Sequence, residues 1–297
     1  MNSRRNLAEI LAALVFLAPF LGLLLVFVLW PLLNAFWLSF HAYDLFGAPR
    51  WIGLSNYQTL LLDRDFWISL RNTTFYTAGV VAAQTLLAFG LALLMDQRIR
   101  AKTFFRVAFF LPSVTSSVAI SLIFMALFFK NGAFNQVLDR LGLDRLLAMT
   151  GLGFPVDWLG NIYTALPAIM AMNVWSTAGF FMIIFLAGLQ DIPETLYEVA
   201  RLDGAGPWEQ LRYVTVPLLK PTFFYVITMG LIGAFQVFDQ VFIMTNGGPL
   251  KATMTMAYLL YTEAFVYFNM GYACAIAFVL ATVIFLATML QKRLMGE

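Results

Sequence analysis

Long runs free of Asp, Glu, Lys and Arg alternate with short polar stretches along this chain. Six such windows stand out, at 10–43, 72–95, 107–129, 158–190, 221–238 and 264–291. A membrane-crossing helix needs about 20 predominantly apolar residues. A lipid-exposed backbone must also satisfy its own hydrogen bonds, which makes helices the expected form. The fifth window is the shortest and stops at Asp239. Continuing past that acid to about Met244 brings it to spanning length. The pattern predicts an all-α, polytopic membrane protein with about six transmembrane helices, read as one domain over 1–297.

The first window follows Arg4 and Arg5, as a signal peptide would. Its apolar run continues past Trp30, well beyond the roughly 7–15 residues of a secretory h-region. It is therefore read as a retained span. Basic residues then set the orientation. With the N-terminus inside, the inner set is Arg4, Arg5, Arg98, Arg100, Lys102, Arg106, Arg201, Arg212, Lys220, Lys292 and Arg293. The outer connections are longer and hold the smaller set of Arg50, Arg64, Arg71, Lys130, Arg140, Arg145 and Lys251. Both termini are expected in the cytosol.

Composition agrees with a lipid solvent. Apolar residues make up 61% of the chain and charged residues 11%, with a mean hydropathy of +0.81. A soluble domain carries about 25% charge. The net charge of +2 gives no footing for nucleic acid. The single cysteine, Cys274, lies in an apolar run and reads as a packing residue. The single histidine, His41, lies just past the first span and reads as a solvated interfacial side chain.

Candidate chemistry is sparse. No G-x-x-x-x-G-K-[ST] loop is present to cradle ATP phosphates, and no H-E-x-x-H. No nucleophile–base pair marks a membrane enzyme, and no metal site or catalytic residue is predicted. Asp239 is the one ionisable side chain placed within a span, where a proton-coupled carrier usually has acidic or His relays. A solute moved uphill would then draw its energy from another chain.

The most polar inner stretch is 190–217. Asp191 and Glu194 have capping-box spacing with Pro193 between them. Leu196, Val199 and Ala200 fall on one helical face. Gly204 and Gly206 suit a helix end that needs a left-handed residue. Pro207 opens a second helix carrying Trp208, Leu211 and Val214 on one side, and Pro217 and Pro221 interrupt it. Two short helices folded back on each other are predicted, fit for a groove on a partner or for lipid headgroups.

At these residues the sequence resembles a known family. Glu198-Val199-Ala200, Asp203-Gly204-Ala205 and Val214-Thr215-Val216-Pro217 look like the EAA loop of ABC importer permeases. Gly204 stands four positions after Ala200 and Val214 ten after Gly204, as that pattern requires. Val199, Val214 and Val216 are mild departures from Ala, Ile and Leu. Gly53-Leu-Ser-Asn-Tyr57 with Asn72-Thr73, and Asn246-Gly-Gly-Pro249 with Gly271-Tyr-Ala273, resemble the carbohydrate type (MalF/UgpA-like).

The resemblance implies a permease subunit in the cytoplasmic (inner) membrane of a prokaryote, importing a sugar, polyol or oligosaccharide. Its implied partners are a second permease, a dimer of ABC ATPases that holds ATP and Mg, and an extracytoplasmic sugar-binding protein. Glu198, Ala200, Arg201, Asp203, Gly204 and Pro217 would couple to the ATPase. Polar and aromatic residues expected to face the bundle interior are Gln84, Ser116, Ser117, Asn173, Trp175, Gln236 and Asp239. Each has a packing or interhelical hydrogen-bonding alternative. Gly79 with Ala83 and Gly271 with Ala275 fit close helix packing, against this chain or a second permease. The rival reading is a stand-alone ion- or proton-coupled carrier that uses Asp239.

Overall fold

In the computed structural model of the chain, residues 2–97, 100–144, 149 and 153–296 are described. Arg98 and Arg145, used above as orientation signals, lie outside the described residues. Helix α1 (Asn2–Leu24) passes through a π turn (Leu25–Leu29) into α2 (Trp30–Leu38). Pro31 explains the turn: it has no N–H to give, and its ring would clash with the carbonyl four residues back. A widened turn just upstream relieves both problems. Strands β1 (His41–Ala42) and β2 (Arg50–Trp51) pair antiparallel, with His41 opposite Trp51. Then come α3 (Ser55–Leu62), α4 (Arg64–Asp96), α5 (Lys102–Val114), α6 (Ser117–Phe128), α7 (Ala133–Arg140) and α8 (Ala165–Gln190). The C-terminal part holds α9 (Glu194–Leu202), α10 (Pro207–Leu218), α11 (Lys220–Phe235), α12 (Asp239–Met244), α13 (Met256–Val266) and α14 (Met270–Met295).

Four described helices are long and apolar enough to cross a membrane: the Ala12–Leu38 stretch, α4, α8 and α14. Two bent pairs raise the number to six if each is one span, which matches the sequence reading. The second bend falls between Pro217 and Pro221, where a break was expected; the first was not expected. The third window is two helices, α5 and α6, meeting at 99°. Pro112 withdraws a backbone donor just before the break, and Thr115 and Ser116 are extended there, with ψ 146° and 130°. The Thr115 hydroxyl turns back onto the Leu111 carbonyl at 2.9 Å instead of capping α6. The fifth window does not run on through Asp239. Its helix ends at Phe235, residues 236–238 unwind, and Asp239 begins the short α12.

By internal contacts the chain forms two compact units, Met1–Asp63 with Leu260–Val279, and Arg64–Leu259 with Leu280–Glu297. In the first, Asn56 is buried and donates from Nδ2 to the carbonyls of Ser39 (2.9 Å) and His41 (3.0 Å). His41 is not a solvated side chain. It is 4% exposed, its Nδ1 lies 2.7 Å from the Trp37 carbonyl, and its ring lies against Trp37 and Trp51. The turn after the first span folds back over it, which a lone His in sequence does not signal.

In the second unit α8 runs through the core, packed against α4 and α5, while α11 packs on α4. One cluster gathers Tyr76, Val80, Ile169 and Met172 with Val241 of α12. The other gathers Ala88, Ala92, Met182 and Phe185 with Val226 of α11. Lipid tails are as apolar as leucine, so close packing rather than escape from water holds such helices together. Gly179 shows how close: a Cβ there would sit 1.8 Å from the Phe109 carbonyl oxygen. Gly79 likewise faces Met170, and Gly271 faces the His41 carbonyl. The neighbours of both therefore belong to this chain.

Candidate functional site

Two features of the second unit bear on function. The first is the 190–217 loop. Here α9 ends in a Schellman turn: Ala205 N–H donates to the Ala200 carbonyl (2.9 Å) and Gly204 N–H to that of Arg201 (3.1 Å). Gly204 takes the left-handed conformation the turn needs, φ +84°. Gly206 does not; it is extended and leads into Pro207, the first residue of α10. The expected capping box is absent. Asp191 closes the C-terminus of α8, and Pro193, extended with ψ 130°, precedes the first helical residue, Glu194. Pro217 does not end α10 either. A π turn at Leu211–Thr215 absorbs it, and the 66° bend falls after Leu218.

The two arms are tied together. Tyr197 Oη lies 3.0 Å from Thr215 Oγ1, and Gln210 Nε2 donates to the Ala205 carbonyl at 2.8 Å. Arg201 Nε turns back to the Tyr197 carbonyl, 3.2 Å away. The outer side stays bare. Val199 is 55% exposed, Leu202 87% and Trp208 70%. Glu198, Asp203 and Gly204 are also exposed, and no atom stands within 4 Å of where a Gly204 Cβ would be.

The second feature is a cavity of about 280 Å³ at the α5–α6 bend. Ser113, Thr115 and Ser117 come to it from the bend, Asn173, Ser176 and Thr177 from α8, and Gln240 from α12. The Thr177 hydroxyl lies 2.9 Å from Gln84 Oε1 and 2.8 Å from the Asn173 carbonyl. Gln84 is 2% exposed, and its Nε2 makes no hydrogen bond within the chain; neither does Ser117 Oγ. Buried polar groups need partners, and a water or a solute hydroxyl in the cavity would supply one to Ser117.

Of the expected solute-facing residues, Ser117 and Asn173 thus meet at the cavity, and Gln84 stands behind Thr177. Ser116 is exposed at the bend itself. Trp175 lies elsewhere, against Phe124 in a separate aromatic depression. Gln236 and Asp239 are exposed at the unwound segment beside Gln240. Sequence reasoning missed Ser113, Ser176, Thr177 and Gln240. The helical spacing of Asn173, Ser176 and Thr177 was the available signal.

The Asn72-Thr73 and Asn-Gly-Gly-Pro stretches also meet. Asn72 Nδ2 donates to the carbonyls of Lys251 (2.9 Å) and Met254 (3.1 Å), and the Met256 N–H donates to Thr73 Oγ1 (2.9 Å). The start of α4 therefore fixes the loop that follows Pro249.

A family model described as binding-protein-dependent transport system inner membrane component matches residues 84–295. Among curated relatives, the probable ABC transporter permease protein YesP of Bacillus subtilis is 34% identical, over 97% of this chain and 92% of its own. The trehalose/maltose transport system permease protein MalF of Thermococcus litoralis is 32% identical over 91% of this chain and 88% of its own. The arabinooligosaccharides transport system permease protein AraP of Bacillus subtilis is 33% identical over 96% and 89%. Among solved structures, a chain of a bacterial ABC transporter involved in the import of the acidic polysaccharide alginate has a TM-score of 0.80. It is 20% identical and aligns over 99% of this chain and 98% of that one, a likeness of fold.

Proposed function

The chain belongs to the family of inner membrane components of binding-protein-dependent transport systems, and on that premise we propose that it is a permease subunit importing a sugar or oligosaccharide with energy from separate ATPase chains. The sugar class is supported by relatives named for trehalose/maltose, arabinooligosaccharide and lactose transport. The partners are a second permease, an ATPase pair that would hold ATP and Mg, and an extracytoplasmic binding protein. The permease domain extends over 1–297, with both termini and the 190–217 loop on the cytosolic side.

One observation carries the coupling part of this reading: a braced helix–turn–helix that leaves Val199, Leu202 and Trp208 bare around an unobstructed Gly204. Such a body suits a groove on a partner. Glu198, Ala200, Arg201, Asp203, Gly204 and Pro217 form or shape it. A change of state in the ATPase would move α10 and α11 through this contact, because only contacts that differ between two states can shift an equilibrium. The solute path runs past the Ser117–Asn173–Thr177 cavity, whose amide and hydroxyl groups suit sugar hydroxyls. Ser116, Gln236 and Asp239 flank it, and Gln84 orients Thr177.

Reconstitution tests the assignment. Proteoliposomes with this chain, its partner permease, the ATPase and the binding protein should accumulate maltose or an arabino-oligosaccharide only when ATP is supplied. Accumulation against a gradient by this chain alone would overturn it and favour the ion-coupled alternative.

A further inference from the structure

Away from the solute cavity, two depressions on the second unit share Tyr163 and Pro167 in their walls. One, of about 320 Å³, is a trough lined by Phe124, Phe134, Trp158 and Trp175, with Ala171 on the α8 side. Its polar content is small, and the Trp158 indole N–H is already committed to Asn135 Oδ1 at 3.0 Å. The other, of about 540 Å³, carries Arg64, Arg71 and Lys251. The Lys251 ammonium is held by Asp65 at 2.6 Å. Arg64 and Arg71 are both exposed, and neither is joined to an acid among the described residues. They stand two turns apart on α4, on the same face.

A trough of aromatic rings and, across Tyr163 and Pro167, a depression bearing two guanidinium groups with no acid partner among the described residues match one ligand chemistry: an acyl chain joined to a phosphate diester. We propose that this compound groove holds an anionic phospholipid of the phosphatidylglycerol type. Its chain lies along Trp158 and Trp175, and its phosphate rests on Arg64 and Arg71. Guanidinium forks suit phosphate oxygens. Tryptophan and tyrosine favour the headgroup level of a bilayer, where Tyr163 joins the two halves of the groove. On the orientation proposed above, this is the outer leaflet. The site is separate from the Ser117–Asn173 cavity and does not depend on which solute is carried.

The test uses the assembled transporter in nanodiscs of phosphatidylcholine with and without phosphatidylglycerol, followed by mass spectrometry of the lipid retained after detergent extraction. Wild type should retain phosphatidylglycerol selectively and show a higher Tm in its presence. The paired substitution Arg64→Gln/Arg71→Gln should lower retention roughly 25-fold, from about 1 kcal/mol per basic residue and tenfold per 1.4 kcal/mol. Ala171→Phe, which fills the trough with both arginines intact, should lower it as well. If the arginine pair prevents assembly, Ala171→Phe and competition on wild type decide. Equal retention of both lipids overturns the proposal. So does displacement by glycerol 3-phosphate alone, which would mark a free-phosphate site. A photo-cross-linker placed at Tyr163 that captures the second permease rather than lipid overturns it too.

Discussion

Gly204 offers a way to separate what a partner requires from what the fold requires. It sits at φ +84°, and a Cβ there would meet nothing within 4 Å. Inside this chain, the cost of any side chain is therefore that of placing an L residue in the left-handed region, about 1–2 kcal/mol. Side-chain volume adds nothing to it. Asn tolerates the conformation better than other non-glycine residues. A series of Gly204→Asn, Gly204→Ala and Gly204→Trp should then lower Tm by a few degrees at most, with Ala and Trp alike. If the turn seats in a groove on the ATPase, transport follows volume instead: Asn and Ala keep part of the uptake, and Trp falls to background. The assay is ATP-driven uptake in proteoliposomes, with membrane insertion and ATPase co-purification measured on the same samples. Wild-type uptake by an inserted Gly204→Trp would falsify the docking argument. So would equal losses by Ala and Trp, which would trace the defect to backbone strain alone.

Gly179→Ala forces a Cβ to 1.8 Å from a backbone oxygen of α5; it should cost upwards of about 3 kcal/mol, at the top of the overpacking range, and show as lost Tm or lost expression. Asn72→Leu strands the Lys251 and Met254 carbonyls, with about 1–3 kcal/mol lost for each buried one; hydrogen exchange at 250–256 should rise while exchange in α8 stays unchanged. Asn173→Ala and Thr177→Val should each raise the solute concentration for half-maximal uptake severalfold without changing capture by the binding protein; unchanged uptake curves for both would remove the Ser117–Asn173 cavity from the solute path.

The helical class was legible because the signal is a one-dimensional one: a span is a charge-free run of sufficient length, and six such runs are visible before any folding. The Schellman turn at Gly204 was legible for a similar reason, since its requirement is local to the chain. What the sequence concealed depends on partners distant in the chain. His41 looks solvated until β2 and α3 fold against it. Thr177 is unremarkable until Gln84, far away on α4, points its amide at it. The capping box at Asp191 failed because α8 runs to the very end of its apolar window at Gln190 and takes the next residue, Asp191, as its own C-cap. Pro217 was misjudged as an interruption. Like Pro31, it sits just after a π turn, so the helix continues where a strict i→i−4 ladder would stop.

The placement of the helix breaks makes the strongest case for the cavity. Non-helical backbone at membrane depth is tolerated only where it is buried in protein or lines a water-filled space. This chain breaks its helices at Thr115–Ser116, inside the α5–α6 pair, and at 236–238, between α11 and α12. Both interruptions lead into the same cavity, which takes Thr115 and Ser117 from one side and Gln240 from the other. Continuous helices α4 and α8 could have packed against unbroken neighbours at lower cost. The aromatic trough near Trp175 has an unbroken α8 behind it and hardly a polar group. The two depressions thus differ as a wet path and a lipid-facing wall should. On this argument, straightening the α5–α6 bend by Pro112→Ala with Ser116→Ala should preserve or raise Tm while reducing uptake, since it trades the break for a complete hydrogen-bond ladder.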